Sequence, residues 1–161
     1  MIYFDNAAST VIFKEVIDVV TDISTNCYGN PSAIHSKGRQ GKAVIEEARK
    51  KIAALLSVSS SSIFFTSGGT EANNHAIIRC VLDNDIKNII TSPIEHSSVI
   101  NCCQQISLQN KVPIHYVNID NKGNIDLNNL EELLSNNTNC LVSLMHANNE
   151  IGNLLPIKDV G

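Results

Sequence analysis

An α/β fold, with a mostly parallel sheet and helices on its flanks, is what this sequence predicts. One observation carries that expectation. Short apolar or β-branched runs alternate with segments of helical periodicity. Alternation at this spacing implies βαβ units, and hence parallel strands with helices on both faces.

The elements follow in order. Ile2-Tyr3-Phe4 is a candidate short strand. From Lys14 to Ile23, residues Val16, Ile17, Val20 and Ile23 share one helical face. The segment Cys27-Tyr28-Gly29-Asn30-Pro31-Ser32 is a loop, and a long helix is expected from Ser36 to Leu56 with Val44, Ala48, Ile52 and Leu55 as its stripe. Ile63-Phe64-Phe65-Thr66 has strand composition, and a Gly-Gly turn leads from it into a helix over Glu71 to Leu82. Strands are expected at Asn88 to Thr91, His115 to Val117 and Cys140 to Met145, with helices at Val99 to Gln109 and Leu127 to Leu134 between them. A further helix is expected to begin near Pro156, and a sheet left at that point is expected to be truncated.

Composition narrows the class. The 161 residues are 43% hydrophobic, enough for one domain with a core. The net charge of −4 is interspersed, without a basic stripe, so nucleic acid is not an expected partner. No apolar run approaches the roughly 20 residues that span a bilayer, and the first residues lack the layout of a secretory signal. A cytoplasmic protein without membrane attachment is expected. The five cysteines and five histidines show neither C-x-x-C nor H-E-x-x-H spacing, so no metal site is expected and the thiols are expected to be reduced and mostly buried.

In such sheets, ligands gather beyond the carboxyl ends of the strands. Three segments fall there: Ser67-Gly68-Gly69-Thr70, Ile94-Glu95-His96-Ser97 and His146-Ala147-Asn148-Asn149. In the first, two glycines leave backbone N–H groups open, the helix start adds unpaired donors, and the Thr70 hydroxyl adds another. That chemistry suits a phosphate; the same residues also read as a glycine turn with a threonine cap. No G-K-[ST] follows, and G-x-G-x-x-G spacing is missing, so a phosphate-bearing cofactor other than ATP or NAD is favoured. His96 can stack on a flat ring or shuttle a proton, or be a satisfied loop histidine, with Ser97 and Ser98 as caps of the next helix. Asn148 and Asn149 suit ligand hydrogen bonding or a simple turn, and Glu150 reads as a cap or ion-pair partner. Asn6, Ala7 and Ala8 lie in a small, polar segment that a substrate can approach closely.

These pieces together resemble the cysteine desulfurases, in the class V aminotransferase branch of the fold-type-I pyridoxal-phosphate (PLP) enzymes. The resemblance rests on Tyr3 to Thr10, Tyr28 to Ser32 with His35, Phe65 to Asn74, Thr91-Ser92 with Glu95-His96, and His146 to Gly152, in the family's order. It implies the N-terminal half of the large domain of a fold-type-I PLP-dependent transferase. Residues 1–12 would then join the small domain, and residues 13–161 would form an incomplete PLP-binding domain. Gly69 and Thr70 would hold the cofactor phosphate, and His96 would stack on its ring as a catalytic residue. Asn149 would contact the ring's phenolic oxygen side near the substrate, and Asn6, Ala7 and Ala8 would border the substrate. The implied reaction takes sulfur from L-cysteine, leaving alanine and an enzyme persulfide for iron–sulfur clusters or thiolated RNA. Implied partners are a second copy or a complementary C-terminal half, and a sulfur acceptor or scaffold protein.

That chemistry also needs a lysine anchor, an aspartate at the pyridine nitrogen, a nucleophilic cysteine and an arginine for the substrate carboxylate. None of the lysines or cysteines matches those contexts, and Arg39, Arg49 and Arg79 read as solvated or ion-paired helix residues. An inactive N-terminal fragment is therefore expected. Another class V enzyme, such as a selenocysteine lyase, a kynureninase-like enzyme or an aminotransferase, is the alternative within the superfamily. A non-catalytic remnant or interaction module is the alternative outside it.

Overall fold

Alternation of side chains across a strand decides which face each residue buries, and β1 (Asn88–Thr91) shows this directly. In the computed structural model, which describes residues 2–161, Ile89 and Ile90 are both fully buried, against different clusters. Ile89 packs with Ile77 and Val81 of α3 (Gly69–Asp83) and with Val99, Cys102, Cys103 and Ile106 of α4 (Ser97–Asn110). Ile90 packs with Val117 and with Leu130 of α5 (Leu127–Asn136). The sheet order is β2-β1-β3, where β2 is Ile114–Tyr116 and β3 is Cys140–Ser143, and both neighbours run parallel to β1. The expected parallel α/β layering is thus present, with Ile89 aligned to Ile114 on one side and Leu141 on the other.

These elements belong to the unit Thr66–Gly161, and a separate compact unit ends at Phe65. The first unit contains α1 (Lys14–Asn26) and α2 (Ser36–Leu55), joined by a tight loop. Asn30 shapes that loop, its side-chain oxygen accepting from the Ser32 N–H at 2.9 Å and its carbonyl from the Ala33 N–H at 3.0 Å. A turn of 3₁₀ helix at Ser60–Ser62 follows α2. The short α6 (Ile157–Val160) stands where a last helix is expected.

Several expectations need correction. Ile2-Tyr3-Phe4 and Ile63-Phe64-Phe65-Thr66 are not strands, and Phe4 and Phe64 lie in the open at 91% and 74% exposure. A strand exists by pairing, and no strand among the described residues offers either segment a ladder. In α2 the anticipated stripe is not the buried one. Leu55, Ala48 and Ile52 are exposed, while Gly38, Gly41 and Ala53 are buried. On α1 no residue is buried, although Val16, Ile17, Val20 and Ile23 share a face. Arg49 is ion-paired as anticipated, with Glu46 at 3.3 Å, and it also donates to the Ile63 carbonyl and lies 4.9 Å from the Phe65 ring centroid. Arg79 is ion-paired as anticipated, with Asp83 at 2.6 Å. Of the cysteines, Cys102 and Cys103 are buried and the other three are half-buried, all as free thiols.

The start of α5 illustrates how the loops are pinned. Asp126 caps it, accepting from the Asn128 and Asn129 N–H groups at 3.0 and 3.2 Å. Asp126→Ala is expected to destabilise the fold by about 1 kcal/mol, and Asp126→Ser to recover most of that, as read by urea unfolding.

Candidate functional site

The chain leaves β1 toward α4 on one face of the sheet. After β3 it leads to α6, whose Val160 joins the Ile90 cluster on the other face. A crevice at the carboxyl ends of β1 and β3 follows from that divergence, and this is where ligands bind in open α/β sheets.

The loop after β1 ends in His96, which caps α4 with its own side chain: Nδ1 accepts from the Ser98 N–H at 3.1 Å. The cap is therefore His96, and neither Ser97 nor Ser98 takes that place. An imidazole accepting through Nδ1 carries its proton on Nε2, and that nitrogen has no hydrogen-bond partner among the described residues. The preceding residue, Glu95, is half-buried, and its carboxylate accepts the Met145 N–H from the loop after β3. Burial pushes the Glu95 carboxyl above the ordinary range, while the Met145 N–H and the neighbouring His96 oppose the rise. This bond also explains why β3 stops at Ser143 instead of Met145. The Met145 N–H goes to a side chain, and the strand has no further ladder to join.

A second tie joins the same two loops. Asn148 is buried, and its amide donates to the Ile94 carbonyl at 2.9 Å. Its oxygen accepts from the Glu150 and Ile151 N–H groups at 2.8 and 3.1 Å. Asn148 is thus the structural member of the pair. Asn149 is exposed, its amide held 2.8 Å from the Glu150 carboxylate.

The phosphate candidate forms the start of α3. Gly68 is the N-cap, which removes Thr70 from that role and places it in the first turn with an exposed hydroxyl. The first intrahelical bond is donated by Ala72, so the N–H groups of Gly69, Thr70 and Glu71 precede the helix ladder. The Glu71 carboxylate already takes the Ser67 N–H and hydroxyl at 2.6 and 2.7 Å, which hold it below the usual carboxylate range. A Cβ built on Gly68 or Gly69 would meet nothing within 4 Å. No packing among the described residues requires bare backbone there, and the space before it is open. Donors, dipole and open backbone fit a phosphate monoester of the PLP kind.

This helix start and His96 are bonded to one another. The Asn73 amide, in the second turn of α3, donates to the Ser98 hydroxyl at 2.9 Å, and that hydroxyl lies 2.8 Å from His96 Nδ1. Gly69, Thr70, His96 and the Asn149 loop therefore gather at one rim of the sheet. Asn6, Ala7 and Ala8 belong to the first unit, where they form a turn closed by the Ala8 N–H on the Asp5 carbonyl at 3.1 Å. Two hydroxyls at the end of β1, Thr91 Oγ1 and Ser92 Oγ, are buried with no partner among the described residues, and each calls for a water or ligand atom. A cleft of about 350 Å³ adjoins the Ile94–Asn148 tie, lined by Ser92, Ile125, Leu127, Met145 and Leu155 among others. No lining residue titrates, so the cleft is not where the chemistry concentrates.

Burial pushes the Cys103 thiol up to about 11, helped by Cys102 and Glu95, and it also raises Cys102 and Cys140. Such thiols are not thiolates at neutral pH. Every lysine is exposed. Sequence reasoning placed candidate residues on these loops but missed Asn73, Ser98, Glu95 and Asn148 as the residues that fasten the loops together. The one signal available was their place inside the quoted motifs.

The aminotransferase class-V family profile matches residues 2–161. A cysteine desulfurase of Trichormus azollae is 41% identical over 162 residues, covering 100% of this chain and 40% of that protein. A solved NifS-like protein superposes with a TM-score of 0.91 at 36% identity, covering 99% of this chain and 44% of the other. A structure of SspA in complex with cysteine superposes at 0.84 with 33% identity, over 98% and 46% of the two chains. The chain thus spans about 40% of the length of the curated relatives it matches. With residues 2–161 matched by the family profile and the parallel sheet in place, the chain belongs to the class-V aminotransferase family.

Proposed function

We propose that these residues form part of a PLP-dependent cysteine desulfurase, which takes sulfur from L-cysteine, releases alanine and passes the sulfur on for iron–sulfur clusters or thiolated RNA. The observation that carries the reading is the bonding of the glycine-lined helix start to the His96 loop at one sheet rim. Gly69 and Thr70 bind the phosphate, and His96 stacks on the ring. Asn149 hydrogen-bonds near the phenolic oxygen, and Asn6, Ala7 and Ala8 border the substrate. Bound there, PLP supplies an electron sink for the amino acid. L-Cysteine as substrate is supported by the naming of the relatives and by the cysteine complex of SspA.

In this reading residues 1–12 join a small domain and the rest belongs to the PLP-binding domain. The lysine anchor, aspartate, nucleophilic cysteine and carboxylate-binding arginine lie outside these 161 residues. The open edges of β2 and β3 suit association with a second copy or with polypeptide carrying those groups. Sulfur acceptors and scaffolds would act on the assembled enzyme. No helix among the described residues is long and apolar enough to cross a membrane, in keeping with a cytoplasmic enzyme.

The test uses these 161 residues with PLP and L-cysteine. Reversible binding is expected, weakened at least about tenfold when pyridoxal replaces PLP, with no sulfide or alanine produced. Steady turnover, a cofactor band that survives dialysis, or equal affinity for pyridoxal would overturn the reading.

A further inference from the structure

The residues that steer His96 come from the cradle side. Ser98 is buried at 7% exposure, so its hydroxyl has few partners to choose from. One is the Asn73 amide, a donor, at 2.9 Å; the other is His96 Nδ1, at 2.8 Å. Because Asn73 fills an acceptor position on the hydroxyl, the Ser98 proton is left to point at Nδ1. Nδ1 also receives the Ser98 N–H, so the ring takes two donors on one edge and turns its Nε2–H edge outward.

We propose that Asn73 and Ser98 are positioning residues that set the orientation of the His96 ring, through a relay from the Asn73 amide to the Ser98 hydroxyl to His96 Nδ1. This rests on the reading of His96 as the ring-stacking residue. The relay ties the angle of that ring to the helix whose first turn holds the phosphate. A cofactor seated by its phosphate thus meets a ring already held at a fixed angle, with less freedom to lose on binding.

Three substitutions separate this role from plain packing. Ser98→Ala removes the hydroxyl. Asn73→Asp keeps the volume but offers an acceptor, which draws the Ser98 proton away from His96. Ser98→Thr keeps the hydroxyl. The experiment uses the protein as expressed from its own reading frame, labelled with ¹⁵N-histidine, with the His96 signals assigned through His96→Asn. Ser98→Ala and Asn73→Asp are expected to move the His96 Nδ1 resonance toward that of an acceptor lacking a donor, and Ser98→Thr to leave it in place. Affinity for added PLP is expected to fall about fivefold in the first two and to stay near that of the unaltered protein in the third. An unmoved Nδ1 resonance, or a moved one with unchanged PLP affinity, overturns the proposal. His96→Ala separates the two levels of the argument. If it leaves PLP affinity intact, the stacking assignment fails and the relay's role with it. If it weakens binding while Ser98→Ala and Asn73→Asp do not, only the relay is refuted.

Discussion

Ile89→Ala is expected to destabilise the protein by about 3–4 kcal/mol, the largest loss anticipated for a single truncation in this chain. Ile89 is 0% exposed in the central strand. Its side chain points into the layer built by Ile77, Val81, Val99, Cys103 and Ile106, with Ile114 and Leu141 beside it on the flanking strands. Helices and sheet meet there, so the walls cannot collapse into the space left behind without moving both layers. Ile89→Val removes one methylene and is expected to cost about 1 kcal/mol. Phe64→Ala, at a side chain 74% exposed, is expected to change stability by less than about 0.5 kcal/mol. Urea unfolding of the three variants checks the series, and similar midpoints for Ile89→Ala and Phe64→Ala would refute the two-layer core.

Gly38→Ala is expected to destabilise by about 2–3 kcal/mol, although alanine is the better helix former by about 1 kcal/mol. A Cβ there would lie 2.3 Å from the Ala33 carbonyl oxygen and 2.7 Å from that of Asn30. Both obstacles are backbone, which cannot step aside as a flexible side chain can. Gly29 and Gly41 repeat the pattern from either side: a Cβ added there would press on the carbonyl oxygens of Lys37 and Gly29 respectively. The loop after α1 is therefore pressed onto the first two turns of α2 through bare backbone. Gly69→Ala is the contrast, since nothing lies within 4 Å of its would-be Cβ, and it is expected to leave the melting temperature within about 2 °C. A stabilised Gly38→Ala would mean that this loop packs elsewhere.

What could be read from the sequence follows the range of the interactions involved. Helices announce themselves through local periodicity, and α1, α2, α4 and α5 begin and end within a few residues of where the pattern puts them. Asn88–Thr91 was legible because an apolar run with clear ends is a local signal. Ile2 to Phe4 and Ile63 to Thr66 misled because strand composition states a preference, while a strand also needs a neighbour. The stripe on α2 misled because hydrophobic patterns do not register close packing by glycine. At the candidate site, Gly69, Thr70, His96 and Asn149 are proposed from residue type and from the alternation of elements, although no strand precedes Gly69. The fasteners were not, because Asn73 to Ser98 spans 25 positions and Glu95 to Met145 spans 50.

His35 and His96 begin α2 and α4 in the same way, each offering Nδ1 to a backbone N–H of the first turn, at 3.2 and 3.1 Å. In each, a bulky ring stands where a short Ser, Thr, Asn or Asp side chain usually seals a helix. Replacing either imidazole therefore frees a first-turn N–H and, with it, the loop that leads into the helix.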